Sequence, residues 1–187
     1  MPIKIPIPKT ADYTSPRIKE LCKKLVPRTG AMYLDVEPLD DSIINECFPN
    51  VANVIKKRGG TMQCGWQILE TFPDVMAEAE FHAVWVDNNK KYHDITPKLF
   101  PYITQILFLP DASRKYEGKQ IDNIRIPLKD DPLILNFIKS AEAFFEATNR
   151  GDLANYHGEL VLTPEMKYLK KRKEQLELEM IEKFYSF

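Results

Sequence analysis

Three side chains between residues 46 and 97 have the types and the order needed for thiol chemistry: Cys47, His82 and Asp94. A thiol attacks a carbonyl well once a base takes its proton, and an imidazole serves better when a carboxylate fixes its tautomer. The interval from 47 to 82 leaves room for a helix and a strand. That from 82 to 94 is short enough for one hairpin. Cys47 is followed by Phe48-Pro49-Asn50 and then by Val51, Val54 and Ile55 at helical spacing. Lys56, Lys57 and Arg58 sit at the negative end of the helix dipole, and Gly59-Gly60 ends the run. Pro49 fits a first turn and biases Phe48 away from helical dihedrals. Cys47 is therefore expected just before the helix, near its positive end, where backbone amides favour a thiolate.

The elements that must position these groups follow from periodicity. Met62, Cys64, Trp66 and Ile68 alternate after Gly60, and Gly65 with its polar neighbours suggests a strand with one open face. Glu80 to Val86 reads as a second strand, Asp87-Asn88-Asn89-Lys90 as a turn, and Tyr92 to Thr96 as the return. A turn centred on Asn88 and Asn89 pairs positions whose numbers sum to about 177, so His82 opposes residue 95 and Asp94 is one position away. Ile103 to Leu109 is a fourth strand, and Ile121 to Leu128 follows a loop. Helices are expected from Ser15 to Leu25, from Asp131-Pro132 to Asn149-Arg150-Gly151, and from Pro164 to about Phe184. The last carries a stripe of Leu169, Leu176 and Met180. Phe137, Phe144 and Phe145 read as core. Residues 4–9, with alternate prolines, form an extended arm, and Pro27 to Asp41 is the one linker-like stretch. The expected fold is α+β. A Cys47 helix packs on an antiparallel sheet from about Thr61 to Leu109, with added helices at both ends. The 187 residues suit one domain: an arm and helix over 1–40, a core over 41–128 and C-terminal helices over 129–187.

A cysteine at a helix start, then His-Ala-Val-Trp-Val in one strand and Asp-Ile-Thr-Pro in the next, resembles the core of the transglutaminase-like cysteine superfamily, within the papain-like thiol enzymes. The family strand reads histidine-alanine-tryptophan, whereas Val84 stands before Trp85 here. The resemblance covers Cys47 to Pro97, about a quarter of the chain. Arylamine acetyltransferases share this core order but are usually much longer. Glu46 to Leu128 is also similar to small uncharacterised bacterial proteins with Gly-Gly, Gly-Trp, Glu-Ala-Glu-Phe-His-Ala-Val-Trp and Asp-Ile-Thr-Pro. The superfamily resemblance implies Cys47 as nucleophile, His82 as base and Asp94 as the group that orients the imidazole. The oxyanion would meet the Cys47 N–H and a side chain such as Gln63 or Gln67. It implies hydrolysis or deamidation of a protein, peptide or small amide through a thioester, with no cofactor.

Other readings compete. Cys64 is a second thiol, but its strand offers no helix dipole, and Cys22 lies on the apolar face of the first helix. Cys47 or Cys64 with His82, His93 and Asp94 would suit zinc. However, the two histidines flank a hairpin and His93 should face away from Asp94, so no metal is expected. Cys47 could be a buried thiol, His82 a satisfied core histidine and Asp94 the cap of the Thr96-Pro97 turn. The chain would then be an inactive interaction module, using the 164–184 helix, also a candidate dimer contact, or a Trp66 and Trp85 surface. Asp122-Asn123 could line a cleft, and His157 is given no role. A net charge of −1, from 26 basic and 27 acidic residues, gives no field for nucleic acid or an anionic membrane. No apolar run reaches the roughly 18 residues of a membrane span, and Met1 to Thr10 lacks a signal's apolar core. Three cysteines without a Cys-x-x-Cys unit suggest free thiols and a cytoplasmic protein.

Overall fold

A computed structural model describes residues 5–156 and 158–186. Lys4 of the arm and His157 lie outside the described residues. The central feature is a long hairpin of β3 (Thr61–Phe72) and β4 (Met76–Val86), paired from Thr61 opposite Val86 to Phe72 opposite Met76, with a bulge between Leu69 and Phe72. Around it lie β1 (Lys9–Thr10), β2 (Met32–Asp35), β5 (Tyr92–His93), β6 (Gln105–Pro110) and β7 (Ile124–Pro127). The order is β2-β6-β3-β4-β5, with β1 on β3 and β7 on β4, and all strand pairs are antiparallel. With the helices α1 (Pro16–Leu25), α2 (Cys47–Arg58), α3 (Pro132–Thr148) and α4 (Pro164–Tyr185), the class is α+β.

Alternation sorts the sheet into two faces. Cys64, Trp66, Ile68, Phe81, Leu107 and Leu109 meet Ile18, Leu21 and Cys22 of α1. The same face, further along, receives α2 through Val51, Val54, Ala83 and Ile95. On the other face, Val84, Ile106 and Phe108 pack with Ile103 and Leu69. β3 is thus buried on both sides from Cys64 to Ile68, not open on one as expected, because the stretch carrying Ile103 covers what reads as a polar face. Trp66 is 1% exposed, with its indole N–H donating to Asp111 Oδ2 at 3.2 Å, so it offers no docking surface. Trp85 is half-buried and donates to Gly59 O at 3.0 Å.

The stretch read as a linker contains β2, which pairs with β6 from Met32 opposite Phe108 to Asp35 opposite Gln105. Four residues with two apolar positions are too short a pattern to stand out between prolines and glycine. β5 stops at His93, earlier than the expected Thr96, and β7 begins at Ile124. The C-terminal helices start on side-chain caps. Asp131 accepts the Leu133 N–H at 2.9 Å, and Thr163 accepts the Met166 N–H at 3.3 Å. Leu176 and Met180 are buried against Phe72, Met76, Ile134 and Phe137, whereas Leu169, Phe144 and Phe145 are only half-buried. Among the described residues no helix is long and apolar enough to cross a membrane.

Gly65 stands opposite His82 in the β3–β4 register. A Cβ there would overlap the Leu109 carbonyl oxygen and lie 2.7 Å from the Phe108 ring, which crosses the glycine and meets His82 edge-on at 6.3 Å between centroids. Gly65→Ala is expected to destabilise the fold by about 2 kcal/mol through overpacking against backbone that cannot retreat. Urea unfolding of the variant beside the wild type checks this, and an unchanged midpoint would refute it.

Candidate active site

The turn after β4 sets the level at which His82 meets the returning chain. Asp87 closes it: its N–H donates to Lys91 O at 3.0 Å, its Oδ1 accepts the N–H groups of Asn89 and Lys91, and Lys90 takes a left-handed φ of 67°. The turn therefore centres on Asn89, and Trp85 opposes His93. The register is one position later than the sequence suggested. Extended past β5, it puts residue 96 level with His82, and Asp94 becomes the diagonal neighbour on the same face. His82 Nε2 lies 3.1 Å from Asp94 Oδ1, which also accepts the Thr96 N–H at 3.3 Å. His82 is 4% exposed and Asp94 is 0% exposed.

A third charged group, absent from the sequence reading, joins this pair. Lys98, whose side chain is 7% exposed, brings Nζ to 2.6 Å from Asp94 Oδ2 as an ion pair, outside the angles of a hydrogen bond. Nζ also donates to Gln67 Oε1 at 2.7 Å and lies 3.5 Å from His82 Nε2. An ionised carboxylate only accepts, so Nε2 carries the hydrogen shared with Asp94 at 3.1 Å, and the ammonium at 3.5 Å is a charged neighbour rather than a donor to it. Nδ1 is left as the nitrogen that a thiol could use. Its only sequence signal was a lysine four positions beyond a buried carboxylate.

Burial and the Lys98 cation push the His82 pKa down, but Asp94 and Cys47 outweigh them and hold it at about 9, above its ordinary 6.5. Burial pushes Asp94 up, yet His82 and Lys98 keep it below the usual carboxylate range. Cys47 is the first residue of α2, not the residue before it, and Phe48 is helical. The cost of a helical residue before proline is accepted because Pro49 falls in the first turn, where no N–H is lost. Glu46 at the N-cap makes no side-chain cap. Asn50, also missed in the sequence, ties the helix start down. It accepts the Ile43 N–H at 2.9 Å and donates to Ile43 O at 2.8 Å and to Thr96 Oγ1 at 3.4 Å.

β7 pairs with β4 at Met76 to Ala79 and β5 at Trp85 and Val86, so residues 80–84 of that edge have no strand partner among the described residues. The start of α2 comes in here, with the Asn45 N–H donating to Pro97 O at 3.2 Å. Cys47 packs with Ala83 and Ile95, whereas alternation turns His82 to the opposite face. The thiol and the imidazole are electrostatic neighbours without a hydrogen bond between them. Val84 has a related effect. A histidine and tryptophan two apart would share a face, but Trp85 lies on the α2 side against His93.

Gln67 faces the same side as His82, with its Nε2 3.4 Å from Glu80 Oε2, and Gln63 Nε2 donates to Cys64 O at 2.7 Å. Burial pushes the Cys64 thiol up and the Cys22 thiol up to about 11. His93 lies between Glu37 (3.1 Å) and Asp87 (3.3 Å), apart from His82, and among the described residues no three such side chains could hold a metal ion. A cavity of about 400 Å³ is lined by Glu46, Phe48, Glu80, Phe81, Tyr116 and Phe145, while Cys47 and His82 themselves are not in its wall. Tyr116 stacks on Phe48 at 3.8 Å. Of Asp122 and Asn123, the second lines this cavity, while Asp122 pairs with Arg125 at 3.0 Å. No family model, curated protein or solved structure matches this chain.

A histidine whose folded pKa is raised stabilises the fold fully below its ordinary 6.5, and that contribution is lost as pH rises through about 9. Asp94, lowered, contributes above its ordinary 3.8 and loses this as pH falls through its folded value. The unfolding free energy is therefore expected to drop between about pH 7 and pH 9. His82→Gln should flatten that drop, and Cys47→Ala should move it to lower pH. Urea titrations across this range give the measurement, and a wild-type curve as flat as that of His82→Gln would contradict the pairing.

Proposed function

We propose that this chain is a cysteine-dependent acyl-transfer enzyme with a transglutaminase-like, papain-like core, hydrolysing or deamidating an amide or peptide bond through a thioester on Cys47. The observation that carries the reading is the buried His82–Asp94 pair, 3.1 Å apart, beside a cysteine at a helix N-terminus. Asp94 holds Nε2–H and leaves Nδ1 to exchange a proton with the thiol. Attack by Sγ on the carbonyl forms a tetrahedral oxyanion, for which the first-turn amides of Cys47 and Phe48, without a side-chain cap from Glu46, are available donors. His82 then gives its proton to the leaving amine or ammonia as the thioester forms. Water, losing a proton to the same imidazole, attacks the thioester, and the acid and the thiol are released.

A second reading rests on its own observation: Cys47 packs among Val51, Val54, Ala83 and Ile95 without a hydrogen bond to His82. On that reading the chain is an inactive scaffold, and the exposed Tyr168 and Leu178 of α4 are available to a partner.

Iodoacetamide alkylation as a function of pH, resolved by mass spectrometry at Cys22, Cys47 and Cys64, separates the two. The enzyme reading expects fast labelling of Cys47 at about pH 6, lost in His82→Ala, with Cys22 and Cys64 lagging. Labelling of Cys47 only above about pH 8, unaffected by His82, would establish the scaffold.

A further inference from the structure

Lys98 stands among groups that the proposed reaction uses, and it has no part in that scheme. We propose that Lys98 is a positioning residue of this site, whose ammonium shares Asp94 with His82 so that the imidazole can release its proton as well as take one. The inference rests on the cysteine-enzyme reading above. In that reaction His82 alternates between base and acid, so a proton bound too tightly stalls the step in which the leaving group must receive it.

The geometry fits this division of one charge between two cations. Asp94 presents Oδ1 to His82 at 3.1 Å and Oδ2 to Lys98 at 2.6 Å. Gln67 Oε1, 2.7 Å from Nζ, holds the ammonium there. The ionisable groups whose charge acts on His82 are Asp94 and Lys98 from the segment after β5 and Cys47 from α2. Phe108 of β6 meets its ring edge-on and is neutral, and Gln67 of β3, on the same face, is neutral as well. Among the described residues Lys98 is the cation that opposes the proton on the imidazole, and its removal leaves His82 and the Thr96 N–H as the partners of Asp94. A lysine that merely closed the loop would affect stability and leave the titration of His82 in place.

The test is the NMR titration of the His82 ring protons in the wild type, Lys98→Met, Lys98→Gln and Lys98→Arg. The resonance is assigned by its loss in His82→Gln, and folding is checked by thermal unfolding. The midpoint should rise by about 1 pH unit in the two neutral variants and stay near wild type in Lys98→Arg. An unchanged or lower midpoint in a folded neutral variant overturns the proposal. So does failure of both neutral variants to fold, which would make Lys98 a structural ion pair. Alkylation of wild-type Cys47 reports on the enzyme reading separately. An ordinary thiol there, with the His82 shift still present, would remove the catalytic purpose while leaving the electrostatic control measured.

Discussion

The local structure around the site depends on keeping the Asp94 carboxylate ionised where no water reaches it. A buried charge without partners costs several kcal/mol, so its neighbours are dictated by what it must be given. His82 supplies an N–H from β4, Thr96 a backbone N–H from two residues on, and Lys98 an ammonium from four residues on. These demands fix details that look unrelated. The Asp87 to Lys91 turn must set the register that makes Asp94 a diagonal neighbour of His82, and β5 ends at His93, so the chain beyond it is free to bring Thr96 and Lys98 to the carboxylate. Removing the carboxylate would leave the buried Lys98 ammonium without its counter-charge.

The second constraint is the interrupted edge of β4. β7 and β5 pair with its two ends, and the start of α2 docks onto the segment after β5 in the space between them. That docking runs through Asn50 to Thr96 and through the Asn45 N–H to Pro97. The helix that carries the thiol is therefore tied to the segment that carries Asp94 and Lys98. One wall of the neighbouring cavity belongs to the loop holding Tyr116, and that loop is anchored at its start by Asp111. Asp111 accepts the Trp66 indole N–H while Arg114 lies over the same ring at 5.2 Å.

The sequence made the His82–Asp94 neighbourhood legible because His82 sits on a strongly patterned strand and a short polar turn brings the chain back to Asp94, just past β5. It erred by one position because Asn88-Asn89 gave no hint that Asp87 would close a longer turn around Asn89. The helix beginning near Cys47 was legible from its apolar spacing and its Gly-Gly stop. Lys98 and Asn50 were not, since a lysine and an asparagine ordinarily face water, and only tertiary packing reveals that these two are buried and paired. Trp66, offered as a docking surface only under the interaction-module reading, is buried for the opposite reason. Its polar neighbours in sequence point to the other face, and the helix that covers it lies far away along the chain. The parity effect of Val84 was readable in principle, because one inserted residue sends a tryptophan to the other side of any strand.

The interrupted edge and the shared carboxylate together determine what a proton could do here. In an unbroken sheet, the alternation that sends Ala83 toward α2 and His82 away from it would separate thiol from imidazole. With the edge open, the two lie within electrostatic range. Consider the charges when the proton is on sulfur: Asp94 is negative and Lys98 positive, and the cluster is neutral. With the proton on the imidazole, the thiolate and imidazolium add one charge of each sign, and the cluster is neutral again. Lys98 is what makes both states neutral; without it, both would carry an excess negative charge in surroundings that solvate charge poorly. A site balanced in this way can host the transfer in either direction without changing its net charge, as a group serving alternately as base and acid requires.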